Sequence, residues 1–105
     1  MEKRRVVVSG LGTVNPTGNT VKESWASIRE GKVGIAEITA FDSSAFSVHF
    51  AGEVKAFQPE FVFEKRELKH MARFTQFAML AAEEAVLDSG IRGSLPEEEI
   101  GVIVS

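Results

Sequence analysis

Apolar residues along this chain recur with three different periods, and each predicts a different element. Arg5-Val-Val-Val-Ser9 is a short β-branched run closed by Gly10. Three consecutive valines predict a strand buried on both faces, as in a parallel sheet. Residues 10–18 are rich in Gly, Asn, Pro and Thr and predict a loop. Asn19 or Thr20 can cap a helix from Val21 to about Glu30, with Val21, Ser24, Trp25 and Ile28 on one face and Lys22, Glu23, Arg29 and Glu30 opposite. Gly31 and Gly34 fall where a helix end and a turn belong.

From Phe46 to Phe50 the apolar positions alternate with Ser47 and His49, which is strand periodicity, and Gly52 to Phe57 extends the segment. Pro59 opens a helical turn. The clearest element runs from Met71 to Ser89, with no internal Gly or Pro and Gly90 as its stop. Phe74, Phe77, Ala78, Ala81, Ala82 and Ala85 form its apolar stripe. The alanines leave room for another backbone to approach closely, so the helix is expected to be substantially buried, with Glu83, Glu84 and Asp88 on the wetter side. Pro96 opens a short acidic turn, and Gly101-Val-Ile-Val-Ser105 reads as a second buried strand. Strand, helix, mixed segment, helix and strand make an α/β pattern with a parallel pair. A buried strand needs neighbours and covering helices, so a chain stopping on Ser105 is expected to be a fragment.

Composition narrows the chemistry. The chain has 105 residues, 44% hydrophobic and 26% charged, which is a globular composition. Twelve Lys and Arg against 15 Asp and Glu leave a net charge of −3, which disfavours nucleic acid as a partner. The absence of cysteine removes disulfides and any cysteine nucleophile from these residues, and two histidines, His49 and His70, make no metal site. The longest apolar run, Phe77 to Ala82, is too short to span a bilayer. Lys3, Arg4 and Arg5 before the valines resemble the start of a signal peptide, but Ser9, Gly10 and Gly12 break it, so the protein is expected in the cytoplasm.

Three constellations stand out. Gly10-Leu-Gly12 follows a strand, but Asn15 stands where a dinucleotide fingerprint has its third glycine. The long loop with Pro16 separates the glycines from the helix N-terminus that would hold a pyrophosphate. Close backbone packing is the better reading. His49 has no acid or nucleophile partner in the pattern. The dense cations are the best functional candidate. On a helix, Arg66, Lys69 and His70 share a face, Arg73 extends the row, and Lys65 adjoins it. An acidic protein, a phosphate group, or the chain's own Glu64 and Glu67 can meet that charge.

Six stretches together resemble the start of the β-ketoacyl-acyl-carrier-protein synthases, condensing enzymes of fatty acid synthesis. They are Arg5-Val-Val-Val-Ser-Gly-Leu-Gly-Thr-Val-Asn-Pro-Thr-Gly-Asn19, Gly31-Lys-Val-Gly-Ile35, Ile38-Thr-Ala-Phe-Asp42, Phe50-Ala-Gly-Glu-Val-Lys55, Arg73-Phe-Thr-Gln-Phe-Ala78 and Gly101-Val-Ile-Val-Ser105. The likeness covers the whole chain and is closer to the type II branch than to type I. It implies a thiolase-like five-layer αβαβα fold, of which residues 1–105 are the N-terminal segment of the first half and an incomplete domain. It implies a homodimeric acyltransferase that condenses malonyl-acyl-carrier-protein with an acyl-enzyme thioester. The family's catalytic cysteine and two histidines lie further along the chain, so no catalytic residue is expected here and the segment alone is expected to be inactive. No metal or nucleotide cofactor is implied, since the acyl groups ride on the phosphopantetheine of acyl carrier protein.

By matched position, the resemblance makes Arg66 and Lys69, then His70 and Lys65, the docking residues for that acidic carrier. Lys or Arg is usual where His70 stands, and Asp is common where Ala72 stands. The alternatives are another thiolase-fold condensing protein, such as a polyketide ketosynthase or its chain-length partner, and a small module binding an acidic protein through a basic helix.

Overall fold

A computed structural model describes residues 2–105. Helix α1, Val21–Arg29, is capped as expected: Thr20 is extended (φ −139°, ψ 163°) and its hydroxyl accepts the Glu23 N–H at 3.1 Å. Strand β1, Ile35–Glu37, pairs antiparallel with strand β2, Phe50–Gly52, in the register Ile35–Gly52, Ala36–Ala51 and Glu37–Phe50. A 3-10 turn, Pro59–Phe61, leads to the four-residue helix α2, Lys65–Leu68. Helix α3, Arg73–Ser89, dominates the molecule and stops at Gly90, which takes the left-handed conformation (φ 65°) open to glycine without strain. A second 3-10 turn spans Glu97–Glu99.

The two valine-rich segments differ from expectation. Neither residues 5–9 nor residues 101–105 form a ladder, and the one sheet among the described residues is the antiparallel β1–β2 pair. A β-branched run becomes a strand only with a hydrogen-bonding partner, and these two runs have none within the described residues. Val6 is 93% exposed and Ile103 98%. Helix α3 is also more open than its stripe predicts: no residue in it is fully buried, and Phe74 is largely exposed. No apolar side chain in the described residues is fully buried. The Cα radius of gyration, 17.4 Å, exceeds the ~13 Å of a compact chain of this length.

Order comes instead from a polar and small-residue clasp. Residues 10–13 run against the Ala81–Ser89 stretch of α3. A Cβ on Gly12 would meet the Ala81 carbonyl oxygen and lie 2.8 Å from the Ala85 nitrogen; one on Gly10 would lie 2.7 Å from the Ser89 nitrogen. The alanine stripe and the paired glycines therefore answer each other, and the packing reading of Gly10-Leu-Gly12 holds. Alternate backbone N–H groups of this loop are taken by α3 carboxylates one turn apart. The Leu11 N–H donates to Asp88 at 3.1 Å, and the Thr13 N–H donates to Glu84 at 2.9 Å.

Glu84 also accepts the Val21 N–H, at 3.0 and 3.2 Å to its two oxygens. Val21 opens α1, so Glu84 satisfies a helix donor that has no partner inside the helix and places negative charge at the positive end of its dipole. Between loop and α1, the Asn15 amide donates to Thr13 Oγ1 and Ser24 Oγ, each at 2.9 Å, and Ser27 Oγ donates to the Thr17 carbonyl at 2.8 Å. Ser24, at 7% exposure, is the most enclosed side chain of α1, while Trp25 and Ile28 on the same predicted face are exposed.

Glu53 plays the matching role beside the sheet. Its carboxylate accepts the Thr39 N–H and the Ala40 N–H at 2.9 and 3.0 Å, and the Thr39 hydroxyl at 3.0 Å. These bonds, led by the Thr39 N–H, hold its pKa below the ordinary glutamate value.

Two outcomes are expected. Gly12→Ala should destabilise the protein by about 1–3 kcal/mol, read as a lower melting temperature, because α3 backbone cannot give way. A Glu53 pKa lowered by folding contributes stability that is fully present above the unfolded-state value and is lost as pH falls through the folded value. Hydrogen exchange at Thr39 and Ala40 should therefore accelerate as the solution is acidified into that range, relative to the intrinsic rate. In Glu53→Gln this acid-triggered step should disappear.

Candidate functional site

The four residues singled out by sequence, three cations and His70, lie on one corner of the chain. Lys65 and Arg66 are in α2; Lys69 follows as its C-cap (φ −61°, ψ −24°), and the His70 N–H closes a further turn onto the Glu67 carbonyl at 3.1 Å. Helical spacing thus continues through His70, and Arg66, Lys69 and His70 keep their one-turn relation. All four side chains are exposed, whereas Leu68 and Met71 beside them are half-buried. Gln76 of α3 ties the corner down, its amide donating to the Leu68 and Met71 carbonyls at 3.4 and 3.3 Å.

The carboxylates that could neutralise this charge are otherwise placed. Glu67 turns back to accept the Glu64 N–H at 3.1 Å, as in a capping box. The ion pairs among the described residues are Lys32–Glu30 and Arg92–Glu83, and neither touches the cluster. The Arg92 contact lowers the Glu83 pKa and raises that of Arg92. Arg73 leaves the row. Ala72 is extended (φ −65°, ψ 157°), which breaks the helix before α3. The Arg73 guanidinium then sits 4.7 Å from the Phe57 ring centroid and 5.3 Å from that of Phe77, over two rings packed edge to face at 4.8 Å.

Nothing else in the described residues assembles chemistry. No group of three or more His, Asp or Glu side chains is placed to hold a metal ion. His49 is exposed and its Nδ1 lies 2.8 Å from the Ser43 carbonyl; the nearby Asp42 accepts the Ser44 N–H at 3.0 Å, which lowers its pKa. An open groove between α1 and α3 has an apolar floor of Leu11, Val21, Trp25, Leu80 and Leu87; of the charged residues on its rim, Glu84 and Asp88 accept backbone N–H groups and Glu83 pairs with Arg92. No helix is long and apolar enough to cross a membrane among the described residues.

Sequence reasoning placed the cations but missed the carboxylate clasp. Glu84 is half-buried rather than on a wet face, because loop closure over 63 to 77 residues brings donors to it. The helical spacing of Glu84 and Asp88 was visible; their backbone partners were not.

The family match and the structural neighbour place the chain in an α/β domain of thiolase-like fold, of which it forms a part. The solved structure titled the ishigamide ketosynthase/chain length factor superposes with a TM-score of 0.76 at 37% identity, over 95% of this chain and 24% of that one. The chain belongs to the β-ketoacyl synthase family: residues 3–105 match its N-terminal domain. It is similar to proteins named 3-oxoacyl-(acyl-carrier-protein) synthase 2. The one from Synechocystis is 42% identical over 99% of this chain, that from Coxiella burnetii 45% over 87%, and that from Staphylococcus aureus 46% over 84%. The chain spans between a fifth and a quarter of the length of these relatives, 25%, 22% and 21% respectively.

The position of Arg73 yields a test. Arg73→Gln should lower the melting temperature by removing the interaction with Phe57 and Phe77, a loss of about 0.5–2 kcal/mol, while leaving the charge pattern of Lys65, Arg66, Lys69 and His70 in place.

Proposed function

We propose that this chain is the N-terminal part of a type II 3-oxoacyl-acyl-carrier-protein synthase, and that Lys65, Arg66, Lys69 and His70 dock the acidic carrier. The reading of the enzyme is supported by identities of 42–46% to relatives of that name. The single observation that supports the docking surface is that these side chains are exposed and form no ion pair with a carboxylate among the described residues.

The reaction is a decarboxylative condensation. An acyl group is held as a thioester on a cysteine thiolate; malonyl on a carrier loses carbon dioxide; the resulting carbanion attacks the thioester carbonyl, forms the new carbon–carbon bond and expels the thiolate. The 105 residues contain no cysteine, so the nucleophile and its supporting histidines come from elsewhere in the protein. This segment supplies scaffold and docking. Complementary charge raises the encounter rate and orients the carrier so that its phosphopantetheine arm, the only prosthetic group the scheme requires, reaches the reacting centre. The enzyme acts as a cytoplasmic homodimer. A polyketide ketosynthase or chain-length partner is the second reading, favoured by the ishigamide neighbour but at lower identity. A free-standing basic module would need an enclosed core, which the described residues lack.

In the full-length protein, Arg66→Glu combined with Lys69→Glu should raise the KM for acyl and malonyl carrier substrates by about tenfold, the order expected from turning two attractive interactions into repulsive ones. The kcat at saturation should stay near its starting value. An unchanged KM would remove the docking assignment, and failure of the full-length protein to form a 3-oxoacyl thioester would remove the enzyme reading.

A further inference from the structure

We propose that His70 makes docking at this surface pH-dependent, so that carrier binding tightens as pH falls from about 8 to about 6. The inference rests on the docking reading above. Lysine and arginine side chains stay cationic throughout that interval, and the carrier's carboxylates stay ionised. Of the four docking groups, His70 alone belongs to a residue type whose charge changes near neutrality.

The surroundings leave that charge free to be read by a partner. On its own turn His70 follows Arg66 by four residues, Glu67 by three and Lys69 by one. Glu67 is engaged by the Glu64 N–H. The first turn of α3 brings no acid and contributes Arg73, whose guanidinium lies over Phe57 and Phe77. The 3-10 turn Pro59–Phe61, packed against α2, brings Glu60. No carboxylate among the described residues forms an ion pair with His70. An arriving acidic surface would therefore meet Arg66, Lys69 and His70 together on one exposed turn. The two Gln76 hydrogen bonds tie the backbone of this turn, on either side of His70, to α3. By linkage, a partner that binds the imidazolium more tightly draws a proton onto the imidazole as it docks.

The test is the Kd of the full-length protein for holo acyl carrier protein at about pH 8 and about pH 6, at one ionic strength. Adding one exposed ion pair across the interface should tighten wild-type binding by about two- to fivefold more than it tightens binding of His70→Gln. His70→Arg should bind tightly at both pH values and show the small pH ratio of His70→Gln. Calorimetry near neutral pH, in buffers of different ionisation enthalpy, should report proton uptake on docking that His70→Gln reduces. Equal pH ratios and equal proton uptake in wild type and His70→Gln would overturn the inference. If Arg66→Glu with Lys69→Glu weakens binding while those ratios are equal, only the role of His70 falls. If that double variant binds normally, the docking reading falls and this inference with it.

Discussion

The Glu84 carboxylate is the interaction on which the rest of this domain depends. It reaches from the middle of α3 to the Thr13 N–H in the glycine loop and to the Val21 N–H at the start of α1, joining the helix to two segments 71 and 63 residues earlier in the chain. Each of those N–H groups would otherwise face a half-buried environment unpaired, a cost of about 1–3 kcal/mol apiece. With Glu84 in place, α1 begins at a defined point, the Asn15–Ser24 network can close between loop and helix, and the backbone of Gly10 and Gly12 can lie flat on α3. Within the described residues, this order rests on polar contacts and close backbone packing, with no enclosed apolar core.

The same arrangement explains where reading the sequence succeeded. Local signals were sufficient for α1, for Thr20 as its cap, for α3 and for Gly90 as its end, because each is decided within one or two turns of chain. The cation corner was legible for the same reason. The glycine and alanine spacings announced a close approach, and the loop does pack there. What local pattern could not supply was anything fixed by a distant partner. The valine runs carry strong strand character, but pairing is a property of two segments, and neither run finds its ladder here. The Ala72 break before α3 and the diversion of Arg73 onto Phe57 and Phe77 also depend on packing between elements.

Charge is distributed by task. Acidic side chains on the loop-facing side of α3 and beside the sheet accept backbone hydrogen bonds, so their charge is absorbed by the fold. The cations at the α2 corner have no such internal use. A net charge of −3 therefore coexists with a compact positive surface, and the separation is maintained by giving Glu67, the nearest acid within α2, a backbone donor of its own.

The packing of the glycine loop on α3 also constrains how this sequence can drift. Gly10 and Gly12 already have the smallest possible side of the interface, and Ala81 and Ala85 opposite them are one methyl group from the same limit. At Gly10 and Gly12 the obstruction is backbone, so shrinking a facing side chain cannot make room for a larger residue in the loop. A neutral path through sequence space that enlarges either glycine would need the helix itself to move. Here loop and helix are committed to one another as a rigid pair.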